Sequence, residues 1–290
     1  MALDTSLLWN QYCLIRLSVV YRGRAVPVVW EVIAHRSSSV PHEAYAALLD
    51  AVPAVLPAGA KVVFLADRGF ADTELLAQLR RVGWHFRIRL KATFSVLRPG
   101  QPACKAEDFS LAPGRALFLH NVAITTASFG PVSLALARHT KNGEYWYIVS
   151  DEPTSVFTFA EYGRRFDIEE NFLDDKSHGF QLQSSLVREA EALTRLCFVL
   201  AVATLYLVAQ GTQVVAAQKR RWVDPHWLRG HAYLRIGWQW VKSALARSWE
   251  VFATLHLSGT PDPDPCRAAA SSPLPAPPVT FTQTICYVPT

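Results

Sequence analysis

Tyr162-Gly-Arg-Arg-Phe-Asp-Ile-Glu-Glu-Asn-Phe-Leu-Asp-Asp-Lys176 decides how this sequence is read. A helix advances about 100° per residue, so with Tyr162 at zero, Arg165 falls at about −60°, Glu169 at about −20° and Lys176 at about −40°. One aromatic, two cations and one carboxylate thus share a narrow face. Glu170, Asp174 and Asp175 fall at about 80°, 120° and −140°, away from those cations. A salt-bridged surface face explains such spacing by itself, because i,i+4 pairs such as Arg165 and Glu169 are common helix decoration. The company this helix keeps favours a catalytic reading with Glu169 as its acid.

Upstream, Tyr12 to Tyr21 and Ala25 to Ile33 are rich in Val, Ile, Leu and aromatic residues and flank a turn at Arg-Gly-Arg, which predicts two antiparallel strands. Pro41 to Val52 reads as a helix, and Lys61 to Ala66 as a buried strand that delivers Asp67 at its C-terminal end. Asp72 is a candidate N-cap for a helix through Arg81, and Trp84 to Leu90 is a further strand. Asp4 lies in the opening apolar stretch. Residues 92–150 turn to short strands punctuated by Pro and Gly (Ala116 to His120, Val132 to Arg138, Tyr145 to Val149), an all-β insertion. Thr158-Phe-Ala-Glu161 has capping-box spacing ahead of one long helix ending near Gly179, and another helix covers about 187–210. The expected fold class is α/β, a mixed sheet flanked by helices with a β insertion before the signature helix. Carboxylates from two core strands and one helix offer the all-oxygen donors that Mg²⁺ prefers.

The helix resembles the Tyr-x2-Arg-x3-Glu-x6-Lys signature of DDE transposases of the insertion-sequence-four group, at Tyr162, Arg165, Glu169 and Lys176. Leu65-Ala-Asp67-Arg-Gly-Phe and Leu3-Asp4-Thr5 resemble the surroundings of that family's other two acids. The resemblance covers roughly residues 1–245 and implies an RNase H-like fold. It further implies that Asp4, Asp67 and Glu169 hold two Mg²⁺ or Mn²⁺ ions for DNA strand cleavage and strand transfer. Tyr162, Arg165 and Lys176 would contact phosphates beside the scissile bond. Trp146, in Trp146-Tyr-Ile-Val-Ser-Asp-Glu-Pro153, would stack on a base flipped from the transposon end. The implied partner is double-stranded DNA, both transposon end and target, bound by a homodimer or larger assembly in the bacterial cytoplasm at the nucleoid. Such transposases carry a DNA-binding region ahead of the first acid, whereas three residues precede Asp4 here, so the chain is expected to be an N-terminally truncated copy. The alternative is a non-catalytic DNA-binding relic or domesticated derivative. A metal-independent glycosidase with paired carboxylates is a remoter alternative.

Composition adds boundaries. The 290 residues carry a net charge of +5, and 211–250 alone sums to +5 from Lys219, Arg220, Arg221, Arg229, Arg235, Lys242 and Arg247 against Asp224 and Glu250. That window also holds five of nine Trp, for which core packing is the stronger expectation. Residues 75–106 hold seven cations and no acid, with Arg89 and Lys91 as candidate DNA-backbone contacts. Five cysteines without a C-x-x-C pair indicate neither a disulfide framework nor a zinc site, and the histidines show no metal-ligand spacing. The apolar run Leu196 to Ala209, 14 residues, is too short to cross a bilayer, and no membrane partner is expected. The expected division is a first core part (1–91), the β insertion (92–150), a second core part with C-terminal helices (151–257) and a disordered tail (258–290) with eight prolines in the last 30 residues.

Overall fold

Apolar and β-branched runs become strands wherever their neighbours supply a ladder, and the computed structural model describes this for residues 1–253, 255, 257–264 and 283–287. In chain order the elements are β1 (Ala2–Leu8), β2 (Tyr12–Tyr21), β3 (Arg24–Ile33), α1 (Glu43–Ala51), β4 (Val63–Ala66), α2 (Thr73–Arg81), β5 (His85–Arg89), β6 (Ser95–Leu97), β7 (Cys104–Lys105), β8 (Arg115–Ile124), β9 (Phe129–Arg138) and β10 (Tyr145–Ser150). There follow α3 (Val156–Gly163), α4 (Phe166–Leu173), α5 (Ala190–Ala216), α6 (Tyr233–Arg247) and β11 (Gln283–Tyr287). Among these residues 1–4, 39–166 and 283–287 form one compact unit, and 5–38 with 167–264 a second. Strand β1 belongs to both.

In the first unit β1 pairs parallel with β4, and β4 parallel with β5. Beyond β5 every step from β10 through β9, β8 and β6 to β7 is antiparallel, which is the insertion read from its Pro/Gly-punctuated sequence. Its inward face (Ala116, Phe118, Ala135, Ala137, Trp146, Ile148) packs on Phe159 and Tyr162 of α3. Helix α2 starts at Asp72, whose carboxylate accepts from Leu75 N at 2.7 Å, and buries Leu75, Leu76 and Leu79. Gln78, also buried, ties α2 to α1 through Ala46 O at 2.9 Å and Asp50 at 2.8 Å.

The second unit holds the β2–β3 hairpin, whose register slips at Leu17/Ser18, where Pro27 lacks a donor for the ladder. Helix α5 lies along β3, with Trp30 Nε1 and Val32 N bonded to Thr194 at 2.9 Å each. Within the first unit the strand order is β1-β4-β5-β10-β9-β8-β6-β7. The fold class is the expected α/β, a mixed sheet flanked by helices, with an all-β insertion before the signature helices.

Three local readings are corrected. The single long helix is two, α3 and α4, separated at Arg164-Arg165 and followed by a π turn at Asp174–His178. Gly163, a poor helix former, precedes the break. The N-cap is Ser155, three residues earlier than expected, with Thr158 Oγ1 accepting from Ser155 N at 3.0 Å. Helix α5 runs 27 residues, extended on the N-terminal side by the helix formers Ala190-Glu-Ala-Leu193 and on the C-terminal side, despite Gly211, Thr212 and two Val, by burial of that end; its length and composition would let it cross a bilayer, and 44% of its most apolar window is buried. Of the tail expected to be disordered, residues 258–264 are described and β11 pairs parallel with β8; 265–282 and 288–290 lie outside the described residues.

Where α5 and α6 cross, two glycines face each other's backbone. A Cβ on Gly211 would come 1.9 Å from Tyr233 O, and one on Gly237 would come 1.8 Å from Leu207 O. We expect Gly237→Ala to lower stability by about 1–3 kcal/mol or more, as overpacking does. Gly69→Ala, which would meet nothing within 4 Å, should change it little. Denaturant melts of both variants check this.

Candidate active site

Strand register places the first two acids. Ala2 pairs with Leu65 and Leu3 with Ala66 in a parallel ladder, so Asp4 is the residue of β1 after the last pair and Asp67 the residue that follows β4. Both side chains are half-buried. Asp67 follows the last β4 residue in extended conformation, at the strand's C-terminal end, where open α/β sheets leave their crevices.

The break between α3 and α4 supplies partners for both acids. Arg165 Nη1 lies 3.0 Å from Asp4, with side chains 5% and 16% exposed, and its guanidinium stacks 4.6 Å over the Phe166 ring. Tyr162, fully buried, donates its hydroxyl to Asp67 at 3.4 Å. Burial pushes the Tyr162 phenol up to about 12; Arg165 opposes this and the Asp67 charge reinforces it, so the group stays a neutral donor at neutral pH. Two residues expected to meet DNA phosphates thus meet the acids themselves.

Trp146 is 3% exposed, with Tyr162 edge-on at 5.3 Å, Phe166 at 6.0 Å and the Arg89 guanidinium 5.5 Å over its ring. In this fold it packs inside the insertion sheet against α3. Arg89 is also engaged, pairing with Glu144 at 2.5 Å. Burial would raise the Glu144 carboxyl, but the Arg89 hydrogen bond and charge outweigh it and hold the group below the ordinary carboxylate range. Arg87 is buried and holds Glu152 at 2.7 Å and Glu161 at 2.9 Å. Much of the expected 75–106 cationic track is therefore internal pairing, with Lys91 exposed past β5.

The other two signature residues belong to the second unit. Glu169 is exposed on α4, and Lys176 is half-buried in the π turn. Burial lowers the Lys176 amine, with Asp175 acting against it. A residue that sequence reasoning missed holds this segment: Arg16 of β2, fully buried, donates to Asn171 at 2.8 Å and Asp175 at 2.5 Å and lies 5.1 Å over the Phe172 ring. Its signal was an arginine between inward apolar residues in Leu14-Ile-Arg-Leu17. Burial raises the Asp175 carboxyl and the Arg16 charge opposes it. Arg24 adds an ion pair to Asp174 at 2.8 Å.

The basic window at 211–250 is partly compensated, since Arg220 pairs with Asp224 and Asp264, and buried Arg229 with Asp262 at 2.9 Å. Trp222, Trp240 and Trp249 cluster with ring centroids 5.1–6.1 Å apart, and Trp227 is 79% exposed under Arg221. Folding gathers His85 with Asp151 and Glu152, and His226 and His231 with Asp224, groupings that the spacing of the histidines does not show.

Residues 10–206 match the family described as the transposase DDE domain. The chain belongs to that family. The matched stretch contains Asp67, Trp146, Tyr162, Arg165, Glu169 and Lys176, while Asp4 lies before it. Among solved structures the transposase domain is similar to the piggyBac transposase in a cryo-EM structure of its synaptic complex with hairpin DNA, at 10% identity and TM-score 0.39. The match covers 88% of this chain and 56% of that one, so the chain spans little more than half of that transposase. No curated protein sequence matches it.

Arg16 generates a testable consequence. We expect Arg16→Leu to destabilise the domain by about 3–5 kcal/mol, because Asp175 is left buried without its cation, and Arg16→Leu/Asp175→Leu to recover much of that loss. Equilibrium unfolding of the two single variants and the double variant provides the cycle.

Proposed function

We propose that this domain is a DNA strand-cleaving and strand-transferring transposase of the insertion-sequence-four group, with Asp4, Asp67 and Glu169 as its catalytic carboxylates. The observation that carries this reading is the β1–β4 register, which sets Asp4 beside Asp67, with Arg165 and Tyr162 of the signature already on those two acids. Adjacent half-buried carboxylates, one within β1 and one just past β4, repel unless a cation compensates them, and their oxygen donors fit Mg²⁺ or Mn²⁺. Asp4, Asp67 and Glu169 would hold two such ions. Divalent ions in such a site activate the attacking oxygen and neutralise the leaving one.

The chain's own groups prepare the substrate. Arg165 holds a planar fork beside Asp4, suited to bidentate contact with the phosphate next to the reacting one. Tyr162, kept neutral, donates a proton-bearing oxygen next to Asp67 and orients that carboxylate. Lys176 supplies a point charge to the backbone. Double-stranded DNA is the proposed partner, as transposon end and as target, bound in the cytoplasm at the nucleoid by a homodimer or larger assembly. The exposed cations Lys91, Arg235, Lys242 and Arg247 remain for the DNA backbone.

Purified chain incubated with supercoiled plasmid should nick it only with Mg²⁺ or Mn²⁺ present. Glu169→Gln should fall to background, and Glu170→Gln should retain the activity. Full nicking by Glu169→Gln, or nicking that survives chelation, would remove the assignment. DNA binding that weakens with salt but gives no cleavage at any metal concentration would instead identify a binding-only relic.

A further inference from the structure

Away from these acids, Asp224-Pro-His-Trp-Leu-Arg-Gly-His231, ahead of α6, folds around one buried carboxylate. Asp224, with a side chain 0% exposed, accepts from Arg220 at 3.2 Å, from the backbone N–H of His226 at 3.3 Å and of Gly230 at 3.1 Å, and from His226 Nδ1 at 2.5 Å. Burial would raise its carboxyl, yet the donors outweigh it and hold the group below the ordinary carboxylate range. A carboxylate has about four lone-pair sites, so Asp224 is filled. It acts as an orienting group: with Nδ1 turned inward, Nε2 of the half-exposed His226 ring is the nitrogen left for an ion.

The backbone accommodates this arrangement. A Cβ on Gly230 would stand 2.7 Å from His226 Nδ1 and 2.8 Å from its Cγ, so glycine is what lets the imidazole lie against that turn. The His231 ring stands 5.2 Å away at 86°, and Asp224, His226 and His231 each bring a ligand atom within 4.8 Å of the others. A tetrahedral Zn²⁺ with nitrogens at about 2.0–2.1 Å sets two of them about 3.3 Å apart. With His226 held by Asp224, the His231 ring is the one that turns to close the difference.

We propose that His226 Nε2 and a His231 ring nitrogen bind a borderline divalent transition ion of the Zn²⁺ type, with Asp224 orienting His226 and water completing the coordination. Imidazole suits Zn²⁺, Ni²⁺ and Cu²⁺, whereas the carboxylates assigned to strand cleavage suit Mg²⁺ and Mn²⁺, so the two sites separate by ligand chemistry. A bound ion would tie residue 226 to residue 231 and clamp the loop that leads into α6.

Calorimetric titration of Zn²⁺ into the full chain near neutral pH, with excess Mg²⁺ present, tests the site. Quenching of tryptophan fluorescence by Cu²⁺ offers a second readout, since Trp227 adjoins His226. One ion per chain is expected. His226→Ala and His231→Ala should each weaken it at least about tenfold, and Asp224→Asn about 10–100-fold. If an alanine variant does not fold, His226→Gln or His231→Gln, checked by circular dichroism, takes its place. Unchanged Zn²⁺ affinity in folded histidine variants, or no binding by the folded wild-type chain at micromolar Zn²⁺, overturns the proposal.

Discussion

Two carboxylates set side by side on neighbouring parallel strands impose the constraint to which the first unit responds. Asp4 and Asp67 occupy such positions, and the chain answers with a guanidinium on one and a neutral phenol on the other. Arg165 follows the end of α3, its backbone N–H bonded to Tyr162 O at 2.9 Å, and from there its guanidinium reaches Asp4.

The second unit solves a related problem with the opposite sign. Arg16 lies fully buried in β2, and Asn171, Asp175 and the Phe172 ring satisfy it from α4 and the π turn. A buried pair of this kind contributes little net stability against a well-packed apolar replacement, but losing one partner is costly. Its physical role is to fix where the segment bearing Glu169 and Lys176 sits against its own hairpin.

Much of this was legible in the sequence. The alternation and β-branched content of Tyr12 to Tyr21 and Val132 to Arg138, the cap at Asp72, and the delivery of Asp67 by an apolar strand all follow from local chemistry. The signature spacing singled out Tyr162 and Arg165, which the fold sets on Asp67 and Asp4. A helical wheel assumes one unbroken helix, so it could not show that Tyr162 and Arg165 close a turn while Lys176 rides a π turn. Nor can spacing reveal pairing across strands: Arg87 and Arg89 looked like a cationic track until folding set Glu161, Glu152 and Glu144 beside them. The burial of Trp146 was hidden for the same reason, because it depends on α3 closing over the insertion sheet. The Asp224, His226 and His231 cluster depends on a loop geometry that Gly230 permits and that no motif announces.

The central claim is that Asp4 and Asp67 form an adjacent charged pair kept for cation binding, at some expense to the stability of the cation-free fold. Thermal unfolding of wild-type and Asp67→Asn chains, each in chelator and then in millimolar Mn²⁺, addresses it most directly. The account predicts that Mn²⁺ raises the wild-type midpoint, and that Asp67→Asn is at least as stable as wild type in chelator and gains nothing from Mn²⁺. A wild-type midpoint indifferent to Mn²⁺, or an equal rise in Asp67→Asn, would contradict it.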